Sequence, residues 1–133
     1  MSLTDIYERP DRHRLLYDLL KERDETTNIN HRELPDWWDH VRYVDSRPHD
    51  VWNFIEVKGE VVGSCYVTPD NEIGIFIFRA HQGKHYGPEA VRQLMWRTGK
   101  RNYKAHINPR NERSASLFAR LGFVCKQHTY ELS

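Results

Sequence analysis

The segment FRAHQGKHYGPEAV, residues 78–91, decides how this chain is read. It leaves an apolar, β-like run, EIGIFIF (72–78), and enters a helix-like one through a short loop holding Gly83 and Gly87. At such a junction the backbone N–H groups of Gln82, Gly83, Lys84, His85, Tyr86 and Gly87 gather at the positive end of a helix, which suits a phosphate or pyrophosphate. Gly83 and Gly87 permit close backbone approach, and Lys84 adds charge. Pro88 loses only an N–H that the first helical turn leaves orphaned. His85 stands where a phosphate-cradling turn usually has its middle glycine. Nothing in the sequence demands a positive φ there, so it reads as a side chain of the first helical turn, with a phosphate donor as the alternative. On local grounds alone the loop is equally a strand-to-helix connection that binds nothing.

Upstream, residues 51–78 are β-branched and aromatic runs broken at Lys58-Gly59 and at Pro69-Asp70-Asn71. This texture predicts three antiparallel strands joined by two tight turns. Before them, PDRHRLLYDLLKERD (10–24) gathers Leu15, Leu16, Leu19 and Leu20 on one face of a helix, with Pro10 suited to its first turn. LPDWWDHVRYVDSR (34–47) predicts a second helix, with Trp38, Val41 and Val44 at helical spacing. Downstream, GPEAVRQLMWRTGK (87–100) predicts a helix closed by Gly99, and NYKAHIN (102–108) a strand. NERSASLFARLG (111–122) reads as a helix capped by Asn111 and ended at Gly122, and FVCKQHTYEL (123–132) as a last strand. The order implies an α/β (α+β) fold: one mixed, mostly antiparallel sheet with helices on both faces.

The 133 residues suffice for a single domain, 1–133, that buries roughly two-thirds of the surface its unfolded chain would expose. Twenty basic and 19 acidic residues give a formal charge of +1, so no global field favours nucleic acid. The N-terminus lacks the apolar core of a signal peptide, and no apolar run is long enough to span a bilayer. Cys65 and Cys125 lie in apolar segments and read as buried thiols of a reducing, cytoplasmic compartment. Trp37, Trp38 and Trp52 read as core. His81 and His85 fall in a loop and first turn with no carboxylate or cysteine to complete a set, and His31, His40 and His49 are irregularly spaced, so no metal is expected.

Set together, HQGKHYGPEAV (81–91) and INPRNERSASLFARLGF (107–123) resemble the two motifs of the GNAT superfamily of acyl-CoA-dependent N-acetyltransferases. Gln82 and Gly87 match the first motif, with His85 in place of its middle glycine, and Asn111, Leu121, Gly122 and Phe123 match the second. The resemblance covers about residues 51–131. It implies a splayed parallel strand pair, EIGIFIF with the strand at 103–108, into which the pantetheine of acetyl-CoA pairs along Ile75, Phe76, Ile77 and Phe78. It also implies that Asn111 and Phe118 border the cofactor and that a strand precedes the first helix; here SLTDIY leaves that strand short or absent.

The same resemblance places a general base at Glu72, the only acid in residues 71–79, which would take a proton from the acceptor amine. The usual proton donor to the departing thiolate, a tyrosine on the second-motif helix, is replaced by Phe118. Tyr130 or Ser116 substituting, unassisted departure, and a catalytically silent acyl-CoA-binding module all stay open. The acceptor, an amino-sugar nucleotide, another small amine or a protein N-terminus, is expected near RDETTNINHRE (23–33), where Arg23, Asn28 and His31 are candidate ligands. A homodimer is compatible with this reading; nucleic-acid and membrane partners are not expected.

Overall fold

In the computed structural model, which describes residues 1–23 and 33–132, four strands form one antiparallel sheet in the order β1-β2-β3-β4. These are β1 (Ser2–Asp5), β2 (Val51–Val57), β3 (Glu60–Val67) and β4 (Ile73–Ile77). The helices are α1 (Arg12–Lys21), α2 (Trp37–Asp45), α3 (Tyr86–Thr98) and α4 (Glu112–Arg120). The strand left in doubt by the sequence therefore exists: β1 pairs antiparallel with β2, Leu3 opposite Ile55, and Arg97 of α3 donates to the Leu3 carbonyl at 2.9 Å.

Alternation along the strands sorts side chains into two cores. On one face Ile55, Cys65, Val67 and Ile73 pack with Ala90, Val91 and Leu94 of α3 and Phe118 of α4. On the other Phe54 packs with Leu16 and Leu19 of α1 and Val44 of α2, bordered by Trp52, Phe76 and Phe78. Helices thus cover both faces, as the element order requires. The β2–β3 turn puts Lys58 (φ 53°) and Gly59 (φ 80°) both at positive φ, the backbone that two-residue hairpins favour. Within β3, Val62 is an extra residue between the pairs Ile55–Gly63 and Glu56–Val61. Gly63 then lies so close to β4 that a Cβ there would fall 2.2 Å from the Phe76 carbonyl oxygen.

Several expectations are corrected. NYKAHIN forms no strand: Lys104 alone bridges Glu72 in parallel, although Tyr103, Ala105 and Ile107 do alternate onto the α3/α4 core. The period-two pattern was a true burial signal satisfied without a hydrogen-bonded ladder. FVCKQHTYEL forms no strand either; Phe123 rests on Phe118 at 5.0 Å, while residues 124–132 are exposed. Cys65 is buried but Cys125 is exposed. In α2 the buried positions are His40 and Val44, whereas Trp38 is 67% exposed, so the inward stripe is shifted from the one read in the sequence. No described helix is long and apolar enough to cross a membrane.

His49, in the connection from α2 to β2, stacks flat on Tyr66 at 3.9 Å and meets Trp52 edge-on at 4.6 Å. Burial depresses its pKa to about 4 and lowers that of His40 as well. Between about 4 and 6.5 the unfolded chain holds a proton on His49 that the native protein excludes, so stability falls as pH drops through that window. We expect the melting temperature to fall between pH 7 and pH 4.5, and His49→Phe, which keeps a ring on Tyr66, to flatten that slope. An unchanged slope in the variant would assign the acid sensitivity elsewhere.

Candidate active site

The chemistry of this region begins with backbone left unpaired. In β4 the groups of Gly74, Phe76 and Phe78 face β3, as the Phe78 N–H to Val62 carbonyl bond of 2.9 Å shows, so those of Ile73, Ile75 and Ile77 face outward. Ile73 donates to the Lys104 carbonyl at 2.8 Å, and Lys104 donates to Asn71 at 3.0 Å. Beyond this bridge the two segments share no further ladder, and the edge of β4 at Ile75 and Ile77 opens. An open edge of this kind offers alternating donors and acceptors to an amide-bearing ligand.

At the far end of β4, a short 3-10 turn (Arg79–His81) leads through Gln82 and Gly83 into α3. Gln82 ties this loop across the opening: its amide Nε2 donates to the Ile77 carbonyl at 3.1 Å, and its Oε1 accepts from Arg113 of α4. The N-cap of α3 is His85, whose side chain makes no capping bond, so the first-turn N–H groups of Tyr86 and Gly87 are left without one. Gly83, Lys84 and His85 are exposed beside them. On the opposite flank His81 pairs with Glu60 at 3.3 Å, and with Lys84, Tyr86 and Lys58 lines a cleft against the β2–β3 hairpin.

Two sequence readings of this loop change. His85 lies before the helix, at φ 64° and ψ 20°, in the left-handed region that glycine occupies without penalty; the position does require positive φ, and a histidine carries the strain. Gly87 is buried, and a Cβ there would come within 2.7 Å of Leu117, so its smallness also serves the packing of α3 against α4. Asn111 spends its side chain on α4, accepting from the Ser114 N–H at 3.2 Å. Phe118 is only 3% exposed, packed in the core beside Phe123.

At the apex of the opening stands Glu72. Its Oε1 lies 3.6 Å from Nε2 of His106, a residue the sequence reading did not single out. The alternating apolar pattern of 103–107 was the one signal that would have put His106 on the opposite, outward side. The side-chain row Glu72, Gly74, Phe76 lies on the α1/α2 face, where Arg23 places its guanidinium 4.0 Å over the Phe76 ring. Arg23 is therefore brought to the apex side; Asn28 and His31 lie outside the described residues. Tyr130 is 91% exposed on the irregular C-terminal segment, which leaves it no packed position from which to act. Among the described residues no cluster of three metal-ligating side chains occurs.

If His85 is strained, His85→Gly should leave stability unchanged or raise it by up to about 1 kcal/mol, and His85→Val should lower it by more than about 1 kcal/mol, since a β-branched residue tolerates positive φ least. Urea unfolding of the three proteins checks this; equal midpoints would mean that the loop relaxes freely.

Comparison with known proteins accords with this geometry. Residues 3–124 match the family model described as an acetyltransferase (GNAT) domain. A domain from Methanocaldococcus jannaschii superposes with a TM-score of 0.76 at 26% identity, covering 98% of this chain and 92% of that one. A variant of spermidine N-acetyltransferase SpeG from Vibrio cholerae gives 0.76 at 20% identity over 100% and 86% of the two chains. The yncA protein of Salmonella typhimurium, solved with its cofactor acetyl-CoA, gives 0.67 at 20% identity over 92% and 77%. A search of curated protein sequences gave no match. With the matched model spanning nearly its whole length, this chain belongs to the GNAT acetyltransferase family.

Proposed function

We propose that the protein is an N-acetyltransferase that moves an acetyl group from acetyl-CoA to a primary amine. The observation that carries this is the conjunction, at one sheet edge, of unpaired β4 backbone, an uncapped helix α3 and the carboxylate of Glu72. The residues fit the donor molecule. Ile75 and Ile77 would pair with the pantetheine amides, and Gly83, Lys84, Tyr86 and Gly87 would hold the pyrophosphate through backbone N–H groups and the lysine charge. Gln82, already bonded to Ile77 and Arg113, would fix the loop rather than bind phosphate itself. Acetyl-CoA supplies an activated acyl group as its thioester.

An alkylammonium with a pKa of about 10.4 is mostly protonated at neutral pH and cannot attack a carbonyl. Glu72 removes its proton, with His106 holding the carboxylate or passing the proton to solvent. The outward N–H of Ile75 lies where it would donate to the thioester oxygen. The acceptor enters from the α1/α2 face, over Phe76 and beside Arg23. The second reading, a silent acyl-CoA-binding module, draws on Phe118, which is buried and has no hydroxyl. Thiol release measured with a panel of polyamines, amino-sugar nucleotides and N-terminal peptides separates the two.

Acetyl-CoA should raise the melting temperature, because a ligand of the native state alone stabilises it by mass action, and pantetheine lacking the pyrophosphate should do so far less. Equal shifts would remove the loop from the site. Glu72→Gln should lower turnover at neutral pH by about two to four decades with CoA affinity near that of wild type, the deficit shrinking as free amine accumulates at high pH. A variant profile parallel to wild type would return Glu72 to a structural role.

A further inference from the structure

The family reading leaves one proton unaccounted for: the one the departing thiolate takes up. Phe118 has none to give, and Tyr130 stands on the exposed C-terminal segment. Several other phenols are already committed. Tyr7 donates to the Val44 carbonyl, Tyr17 to that of Pro35, and Tyr103 is bonded to Met95, Thr98 and Lys100. Tyr66 differs from these. It springs from β3 opposite Gly74, and its ring lies flat across β4: a Cβ at position 74 would fall 2.1 Å from its Cζ and 2.5 Å from its hydroxyl oxygen. The phenol thus fills the place of a side chain at 74, in the row between Glu72 and Phe76. That hydroxyl makes no hydrogen bond within the described residues, although the ring is clamped by His49 at 3.9 Å, with Trp52 and Phe76 edge-on or tilted at 6.2 and 6.4 Å.

Position matters as much as chemistry. The parallel bridge ends at Ile73, so position 74 is the first residue beyond the apex of the opening. A pantetheine chain running from the loop back along Ile77 and Ile75 would bring its thioester to that point. We propose that Tyr66 is a catalytic residue of this acetyltransferase, its hydroxyl donating to the thioester sulfur and protonating the thiolate as it leaves; this rests on the acetyl-CoA reading above. The balance is closed. The ammonium first gives one proton through Glu72 to solvent; the free amine's nitrogen then bonds to the acetyl carbon and loses its second proton to Glu72 as the C–S bond breaks, and the sulfur takes the proton of Tyr66. The phenolate recovers one from protonated Glu72 or from solvent, and amide and free thiol depart. Burial, assisted by the nearby Glu72 charge and opposed by Arg23, holds the Tyr66 pKa above its usual value, so the group is protonated when the sulfur needs it. Gly74 follows from the same arrangement, since any side chain there would displace the phenol.

The test has a binding arm and a kinetic arm. With CoA bound, thiolate absorbance followed against pH should show the thiol pKa about one unit higher in Tyr66→Phe than in wild type, because a donor to sulfur stabilises the thiolate. In turnover with acetyl-CoA the variant should lose at least tenfold in kcat with the amine KM within about twofold. With an acetyl donor whose thiol is more acidic the loss should shrink to under about threefold, since a better leaving group needs no proton. An unchanged bound-thiol pKa, or an equal loss with both donors, would overturn the proposal and leave Tyr66 a packing residue. If wild type binds acetyl-CoA yet releases thiol with no amine of the panel, the acetyltransferase reading fails, and the catalytic role of Tyr66 with it. The thiol titration then still decides whether the phenol faces the sulfur.

Discussion

The hydrogen bonds between Ile73 and Lys104 and between Lys104 and Asn71 are the constraint on which the site depends. They fasten the segment after α3 to the head of β4, and they are the last bonds the two share as neighbours. Tyr103 secures the same segment from the other side, its hydroxyl bonded to the Met95 carbonyl, to Thr98 and to the Lys100 N–H at the end of α3. Pinned at one end, the segment diverges, and the outer edge of β4 is left with polar groups that water or a ligand amide must satisfy. A full ladder between the two segments would close the edge.

The two faces of the sheet carry different burdens. The α3/α4 face is mainly apolar, with Asn53 buried opposite Cys65, and its close packing sets α3, and so the loop at its N-terminus, relative to β4. The α1/α2 face mixes apolar contact with His49, Trp52, Tyr66, Arg23 and Glu72. Aromatic stacking there holds a phenol rigidly while leaving its hydroxyl uncommitted, a use of packing that serves positioning more than stability. Nδ1 of His49 and Nε1 of Trp52 are buried without a partner among the described residues, and the cluster tolerates that cost.

Local rules are broken where the functional reading places chemistry. His85 takes a glycine's backbone conformation, α3 starts without a side-chain cap, and Gly74 interrupts a strand of β-branched and aromatic residues. Proteins concentrate such violations at functional sites, where surrounding structure over-determines them. Here Gln82 does so, binding strand end to α4 across the loop, together with the contact of Gly87 on Leu117.

Periodicity and turn chemistry in the sequence alone established the helices, the three-strand meander and the loop between β4 and α3, because each depends on residues near one another in the chain. The motifs at 81–91 and 107–123 likewise pointed to the family. What the sequence left open depended on partners distant in the chain. Alternation in 103–107 announced burial but could not say whether a hydrogen-bonded neighbour existed, and the β-prone residues of 123–132 form no ladder with either edge of the sheet. β1 is four residues whose strand character comes only from β2, some fifty positions away. The positive φ of His85 is set by how α3 docks, and the meeting of Tyr66 with Gly74 by strand register. Tertiary structure alone decided these, since a side chain's role at a site follows from what the fold brings beside it and not from its own propensity.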